Sequence, residues 1–307
     1  MPELIHLKCA DNYPLVASLY SVKNSAKETT IKPKGMVILA SAIGVPDRYY
    51  KRFATYIRDQ GLHCITFNYR GTGSSMAEDK PHNVRLEDWG KLDTETVIQF
   101  AETYLEHNTS PTDERPASKN LPLHFIGHSI GGQLIGLTPA SKRLSSLVLI
   151  ASSSPFWKRW AFPRNLGILV TARLLIPAFS AFRNEFPAQS LGLGSLKFPT
   201  STAKQWAKWM GQPDYLFNTK FSLDTSTYAA LDQPLLAYGF KDDKIAPEVN
   251  INCLLEHFPN TQITRRYIDP ETLDVGSIGH SGFFKDIFKD TLWRDTIEWL
   301  EDLSPQG

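Results

Sequence analysis

The six residues Gly127-His128-Ser129-Ile130-Gly131-Gly132 constrain this chain more than any other stretch. They follow an apolar run, Leu121 to Ile126, that reads as a strand. They open a helical pattern over Gly131 to Leu137. A strand that feeds a helix through so short a link must turn sharply. Ser129 then sits in strained backbone at the apex, with its hydroxyl projecting above the strand end. Glycines at 127 and 131 leave room for neighbouring backbone to pass close by. The helix that follows directs its positive end at the same place.

The rest of the chain repeats that strand–helix rhythm. Leu4 to Tyr20 alternates around Asp11-Asn12, a turn signal, and reads as a β-hairpin. Met36 to Ala40 is a continuous apolar run, as in strands buried on both faces of a parallel sheet. A helix follows over Asp47 to Gln60, then a strand over His63 to Tyr69 and a long helix over Leu86 to Tyr104. Leu147 to Ala151, Pro234 to Tyr238 and Gln262 to Ile268 complete the strands, with a helix from Pro247 to His257 between the last two. Residues 22–34 and 107–120 are polar connections. A terminal amphipathic helix gathers Phe283, Phe284, Ile287, Leu292, Ile297 and Leu300 on one side. Strands alternating with helices predict right-handed crossovers and a mostly parallel, doubly wound sheet. The rhythm stops over residues 154–220, which hold four of the seven tryptophans and no clear strand. The expected organisation is therefore a core of 1–153 and 221–307, with a helical cap inserted at 154–220. The apolar stretch Leu166 to Phe182 reads as a buried or cap helix. Arg173 and Pro177 interrupt it, and it falls short of the ~20 residues a bilayer span needs.

A serine hydroxyl is a weak nucleophile without a base, and the base needs an acid to orient it. On a parallel sheet the groups that can meet Ser129 lie in loops at the carboxyl edge of the strands. His280 follows the last strand, flanked by Gly279 and Ser281-Gly282, and is the expected base. His257 falls in a helical pattern on the flank of the sheet. The acid lies just after the strand ending at Tyr238, where Asp242 and Asp243 compete; the other becomes a cap or turn residue.

In this order the motifs resemble the α/β-hydrolase superfamily over most of the chain. They are the Leu39 to Gly44 loop, Arg70-Gly71-Thr72-Gly73-Ser74-Ser75, the turn at Ser129, Asp243-x-Ile245-Ala246-Pro247 and Gly279-His280. The resemblance implies an α/β-hydrolase fold and an esterase-like or lipase-like serine hydrolase without cofactor. It favours Asp243 as the acid, because the family commonly places that residue just before such an x-Ile-x-Pro turn. The chain is also similar to a bacterial branch of predicted hydrolases with Gly-Val-Pro-x-x-Tyr-Tyr (here Gly44 to Tyr50) and Gln-Trp-Ala-x-Trp (here Gln205 to Trp209). One departure stands out. Many members carry His-Gly where this chain has Ser41-Ala42-Ile43-Gly44. The oxyanion donors are then expected at the backbone N–H groups of Ile130 and Ile43, with Ala42 as the other candidate.

Acyl transfer through Ser129, His280 and Asp243 onto a small ester or thioester is the implied chemistry. Ala42, His128, Trp157 and Trp206 are expected to touch the substrate. The aromatics of 154–220 either roof the site or fill their own core. Lys158 to Arg164 suits either an anionic membrane surface or a solvated cap edge. A net charge of +1 gives no basic field for nucleic acid, and no His/Cys/Asp/Glu group has metal-ligand spacing. Three scattered cysteines, and an N-terminus without a basic region and apolar run, suggest a reducing, cytoplasmic setting.

Overall fold

A computed structural model describes residues 2–22, 32–77, 84–108 and 121–303. Most of the two polar connections, at 22–34 and 107–120, lies outside the described residues. Eight strands form the central sheet: β1 (Glu3–Lys8), β2 (Pro14–Tyr20), β3 (Gly35–Ala40), β4 (Leu62–Phe67), β5 (Leu123–His128), β6 (Ser146–Ile150), β9 (Leu235–Phe240) and β10 (Ile263–Ile268). Their order is β1-β2-β4-β3-β5-β6-β9-β10. The hairpin β1–β2 turns at Asn12, whose positive φ suits the tight reversal, and β2 joins β4 antiparallel. All pairings from β4 to β10 are parallel. The inner strands β3 to β6 and β9 are buried along their whole length, which is why they read as continuous apolar runs. Helices α1 (Lys51–Asp59), α2 (Glu95–Asn108), α8 (Glu248–Leu255) and α9 (Arg294–Asp302) flank this sheet, and the short α7 (Ser226–Ala230) leads into β9.

Several local expectations need correction. The segment 154–220 does hold strand: β7 (Glu185–Phe186) pairs with β8 (Phe198–Pro199) in a two-residue ladder, too short to show a period. The helix after Ser129, α3, spans only Ile130–Gln133 before the chain tightens into a 3₁₀ turn at Ile135–Leu137. Its macrodipole contribution is correspondingly small. Phe283, Phe284 and Ile287 lie in 3₁₀ turns before the terminal helix, and Ile287 is 63% exposed. His257 lies in the turn past α8, stacked on Phe217 with ring centroids 3.3 Å apart.

The Arg70 loop is held by charge. Arg70 is buried, with Nε 2.6 Å from Asp93 Oδ1 and Nη1 2.6 Å from Asp11 Oδ2. Tyr69 stacks on Trp89 beside it, rings 4.5 Å apart. Asp93 is fully enclosed, so neither ion of that pair tolerates the loss of its partner. Asp93→Ala is expected to cost about 3–5 kcal/mol, read as a lower urea midpoint at unchanged slope; a shift below 1 kcal/mol contradicts it.

Candidate active site

The turn after β5 places Ser129 at φ 53°, ψ −116°, a conformation that non-glycine residues rarely adopt. The glycines around it explain how the turn closes. A Cβ on Gly127 would lie 2.5 Å from Gly132 Cα, and one on Gly131 would lie 2.6 Å from the Ala40 carbonyl oxygen. Backbone fills the space that side chains would need. The Ser129 N–H donates to the Ile150 carbonyl at 2.9 Å, fixing the turn to β6.

Above this turn three side chains from distant loops form one relay. Ser129 Oγ lies 2.9 Å from His280 Nε2, and His280 Nδ1 lies 2.8 Å from Asp243 Oδ2. With Nδ1–H donating to the carboxylate, Nε2 is left as the acceptor of the Ser129 hydroxyl's hydrogen bond. Asp243 Oδ1 accepts the N–H groups of Ile245 (2.7 Å) and Ala246 (3.0 Å). Burial would raise this carboxyl, but the hydrogen bond and charge of His280 and the two N–H groups outweigh it. They hold Asp243 below the usual carboxylate range. Asp242 faces the other way: its carboxylate accepts the N–H groups of Ile278 (2.9 Å) and Gly279 (3.0 Å). The two carboxylates therefore divide the work, one on the imidazole and one on the loop that carries it.

A second chain of hydrogen bonds runs beneath the first. His128 Nε2 lies 2.9 Å from the His280 carbonyl, which can only accept, so Nε2 carries the proton. Nδ1 then accepts from the Tyr50 hydroxyl at 2.8 Å, and the Tyr50 oxygen accepts the Ala42 N–H at 2.9 Å. Tyr50 thus joins three loops: those of Ala42, of Ser129 and of His280. Sequence reasoning missed this residue, although it closes the Gly-Val-Pro-x-x-Tyr-Tyr segment. His128 is fully buried, so it cannot touch substrate as expected. The Ala42 N–H is already engaged by Tyr50, which makes Ala42 the poorer of the two expected candidates for an oxyanion donor. No hydrogen bond engages the Ile43 or Ile130 N–H among the described residues.

Burial, reinforced by the neighbouring His280, pushes the His128 imidazole down to about 3; burial alone pushes His124 down to about 4. Both lie below the unfolded value of ~6.5. As pH falls, the unfolded chain therefore takes up protons first, and stability drops from about pH 6.5 downward. At pH 5 each costs about 2 kcal/mol. Asp93, which burial pushes up to about 6, works the other way and offsets about 1 kcal/mol, so urea unfolding should be easier at pH 5 than at pH 7.5 by roughly 3 kcal/mol; equal midpoints contradict buried neutral imidazoles.

Ser129 and His280 open into a cavity of about 760 Å³. Its lining is largely apolar, with Ala42, Ile43, Leu193, Trp206, Ile245 and Phe284, and the cations Arg48, Lys51, Arg52 and Lys285 also line it. Trp206 is where expected, but Trp157 does not line the cavity; it lies beneath the Lys158 ammonium. Gly192 to Ser195 supply the rest of the roof. That loop is fastened to the Ser41–Gly44 loop by a glycine contact: a Cβ on Gly194 would lie 2.2 Å from the Gly44 carbonyl oxygen, and the Leu196 N–H donates to that oxygen at 2.9 Å.

A sequence profile described as the alpha/beta hydrolase family matches residues 37–283, from β3 through the loop of His280. The chain belongs to the alpha/beta hydrolase family. Solved structures share the fold of this alpha/beta hydrolase at low identity. A soluble variant of monoglyceride lipase from Saccharomyces cerevisiae aligns with a TM-score of 0.65 and 15% identity, covering 99% of this chain and 96% of that one. A thermophilic esterase from Thermogutta terrifontis gives 0.58 and 13%, covering 98% and 99%. An acylaminoacyl peptidase from Pyrococcus horikoshii gives 0.58 and 14%, covering all of this chain but 42% of its own length. A search of curated protein sequences found no match. Among the described residues no helix is long and apolar enough to cross a membrane, and no three metal-binding side chains cluster.

Proposed function

We propose that this alpha/beta hydrolase is a serine esterase acting on carboxylic esters or thioesters with an apolar part. The observation that carries the reading is the continuous relay of 2.9 and 2.8 Å from Ser129 through His280 to Asp243. In this mechanism His280 takes the proton of Ser129 as the hydroxyl oxygen attacks the substrate carbonyl. The N–H groups of Ile130 and Ile43 hold the oxyanion, each such donor being worth roughly 3–4 kcal/mol. Asp243 fixes the imidazole tautomer and stabilises its positive charge. The leaving alcohol or thiol takes the proton back from His280, and water then cleaves the acyl-enzyme by the same steps.

The cavity supports an apolar substrate part. Its volume lies in the range of small-molecule sites, and its lining as a whole is largely apolar. Residues 154–220 act as a cap, since they contribute Gly192 to Ser195 and Trp206 to the roof. The test is a panel of aryl esters, acyl-thioesters and aminoacyl amides, run beside labelling with an alkyl phosphonate. Labelling of Ser129 with turnover of esters or thioesters supports the reading. Turnover of amides alone makes the chain a peptidase, and absence of labelling makes it a binding protein on a hydrolase scaffold.

A further inference from the structure

The overall net charge of +1 conceals a strong separation. Residues 154–220 hold nine Lys and Arg against two Asp and Glu, a net +7. The other 240 residues hold 24 against 30, a net −6. Among the described residues, Lys197 alone of these nine cations pairs with a carboxylate, Glu185. Arg173, Lys204, Lys208 and Lys220 converge instead on a hollow of about 530 Å³ between two cap helices.

One of those helices runs from α4 (Arg164–Val170) through a π turn at Thr171–Leu175 into α5 (Ile176–Ser180); the other is α6 (Thr200–Met210). Ala172, Ile176 and Ser180 recur every four residues and face inward, buried. Offset by half that interval, Leu166 (46% exposed), Val170 and Leu174 (62%) face outward, and Phe162 (77%) extends the row. A helix that is apolar all round is normally covered on both sides. Among the described residues the outer side lies bare, and between Pro155 and Asn184 the chain contains no acidic residue.

We infer that the cap is a docking surface for an anionic lipid membrane: Phe162, Leu166, Val170 and Leu174 enter the interface, and the unpaired cations face the lipid phosphates. The charge decides between occupants. A symmetric second copy would press two caps of +7 against each other. An anionic lipid surface complements that charge, and each basic residue near it strengthens binding about fivefold. The Arg173–Lys220 hollow is a seat of the right charge for a phosphate headgroup. This inference concerns the cap and does not depend on the chemistry of Ser129.

The test is flotation with vesicles of phosphatidylcholine alone and of phosphatidylcholine with one third phosphatidylglycerol, in low and high salt. Binding at least tenfold tighter to the anionic vesicles, and lost in high salt, is the expected result. Leu166→Asp with Leu174→Asp, and separately Arg173→Glu with Lys208→Glu, should each abolish it. Both variants should keep the urea midpoint of the wild type to within about 1 kcal/mol, which shows that they fold. Ser129→Ala should bind as the wild type does, so failure of the esterase reading leaves this result readable. Equal binding to neutral and anionic vesicles, or to neither, overturns the inference. So does a dimer in sedimentation equilibrium that Leu174→Asp dissociates.

Discussion

Replacing Ser129 with alanine should lower ester hydrolysis roughly 10⁶-fold in kcat while leaving the fold intact. The methyl group occupies less space than the hydroxymethyl group, and the hydroxyl makes only the 2.9 Å contact with His280. The backbone carries the strain at φ 53°, and it is bonded to Ile150 through the Ser129 N–H, which alanine retains. The urea midpoint should therefore move by less than about 1 kcal/mol. What remains is the catalysis provided by the oxyanion donors and by binding alone, about 10³–10⁴ over water. A variant within tenfold of the wild type would remove Ser129 from the mechanism. It would leave the 760 Å³ cavity as a binding site.

Asp243→Asn should cost roughly 10⁴-fold in kcat. An asparagine preserves shape and can still accept the Ile245 and Ala246 N–H groups. Its amide, however, presents a donor to His280 Nδ1 or a weaker acceptor, and either way the imidazole loses its carboxylate. If Nδ1 becomes the acceptor, Nε2 carries the proton and cannot take another from Ser129. Asp242→Asn is the contrast. That carboxylate holds the N–H groups of Ile278 and Gly279 and does not touch the imidazole. Its loss should loosen the loop and lower kcat by far less, about 10- to 100-fold, an effect through positioning. If the two variants exchange these magnitudes, the assignment of the acid is reversed.

The parallel sheet was legible because its inner strands are buried on both faces, so burial itself writes the signal in Met36 to Ala40 and Leu147 to Ile150. Ser129 was visible because the turn demands glycines at fixed offsets. His280 was visible because the sheet has only one carboxyl edge. The choice between Asp242 and Asp243 was not a matter of spacing: adjacent side chains point in opposed directions, and a tertiary contact with Ile278 claims one of them. Tyr50 was hidden for a similar reason, since its partners come from positions 42 and 128 and nothing local marks a hydroxyl for them. His128 and Trp157 were misjudged as substrate contacts because proximity in sequence to the serine or the insertion says nothing about which way a ring faces. The charge separation was present in the composition, but the whole-chain balance of +1 averaged it away.

Ser129 precedes the insertion, whereas Asp243 and His280 follow it, and β9 joins the earlier strands by pairing with β6. A ribosome that has delivered the first half of the chain has produced an elbow with nothing to remove its proton, beside a strand whose outer edge is still unmatched. On the proposed mechanism, reactivity waits for the segment that carries Asp243 and His280 to dock beside Ser129, and a product cut short before residue 280 would be chemically silent.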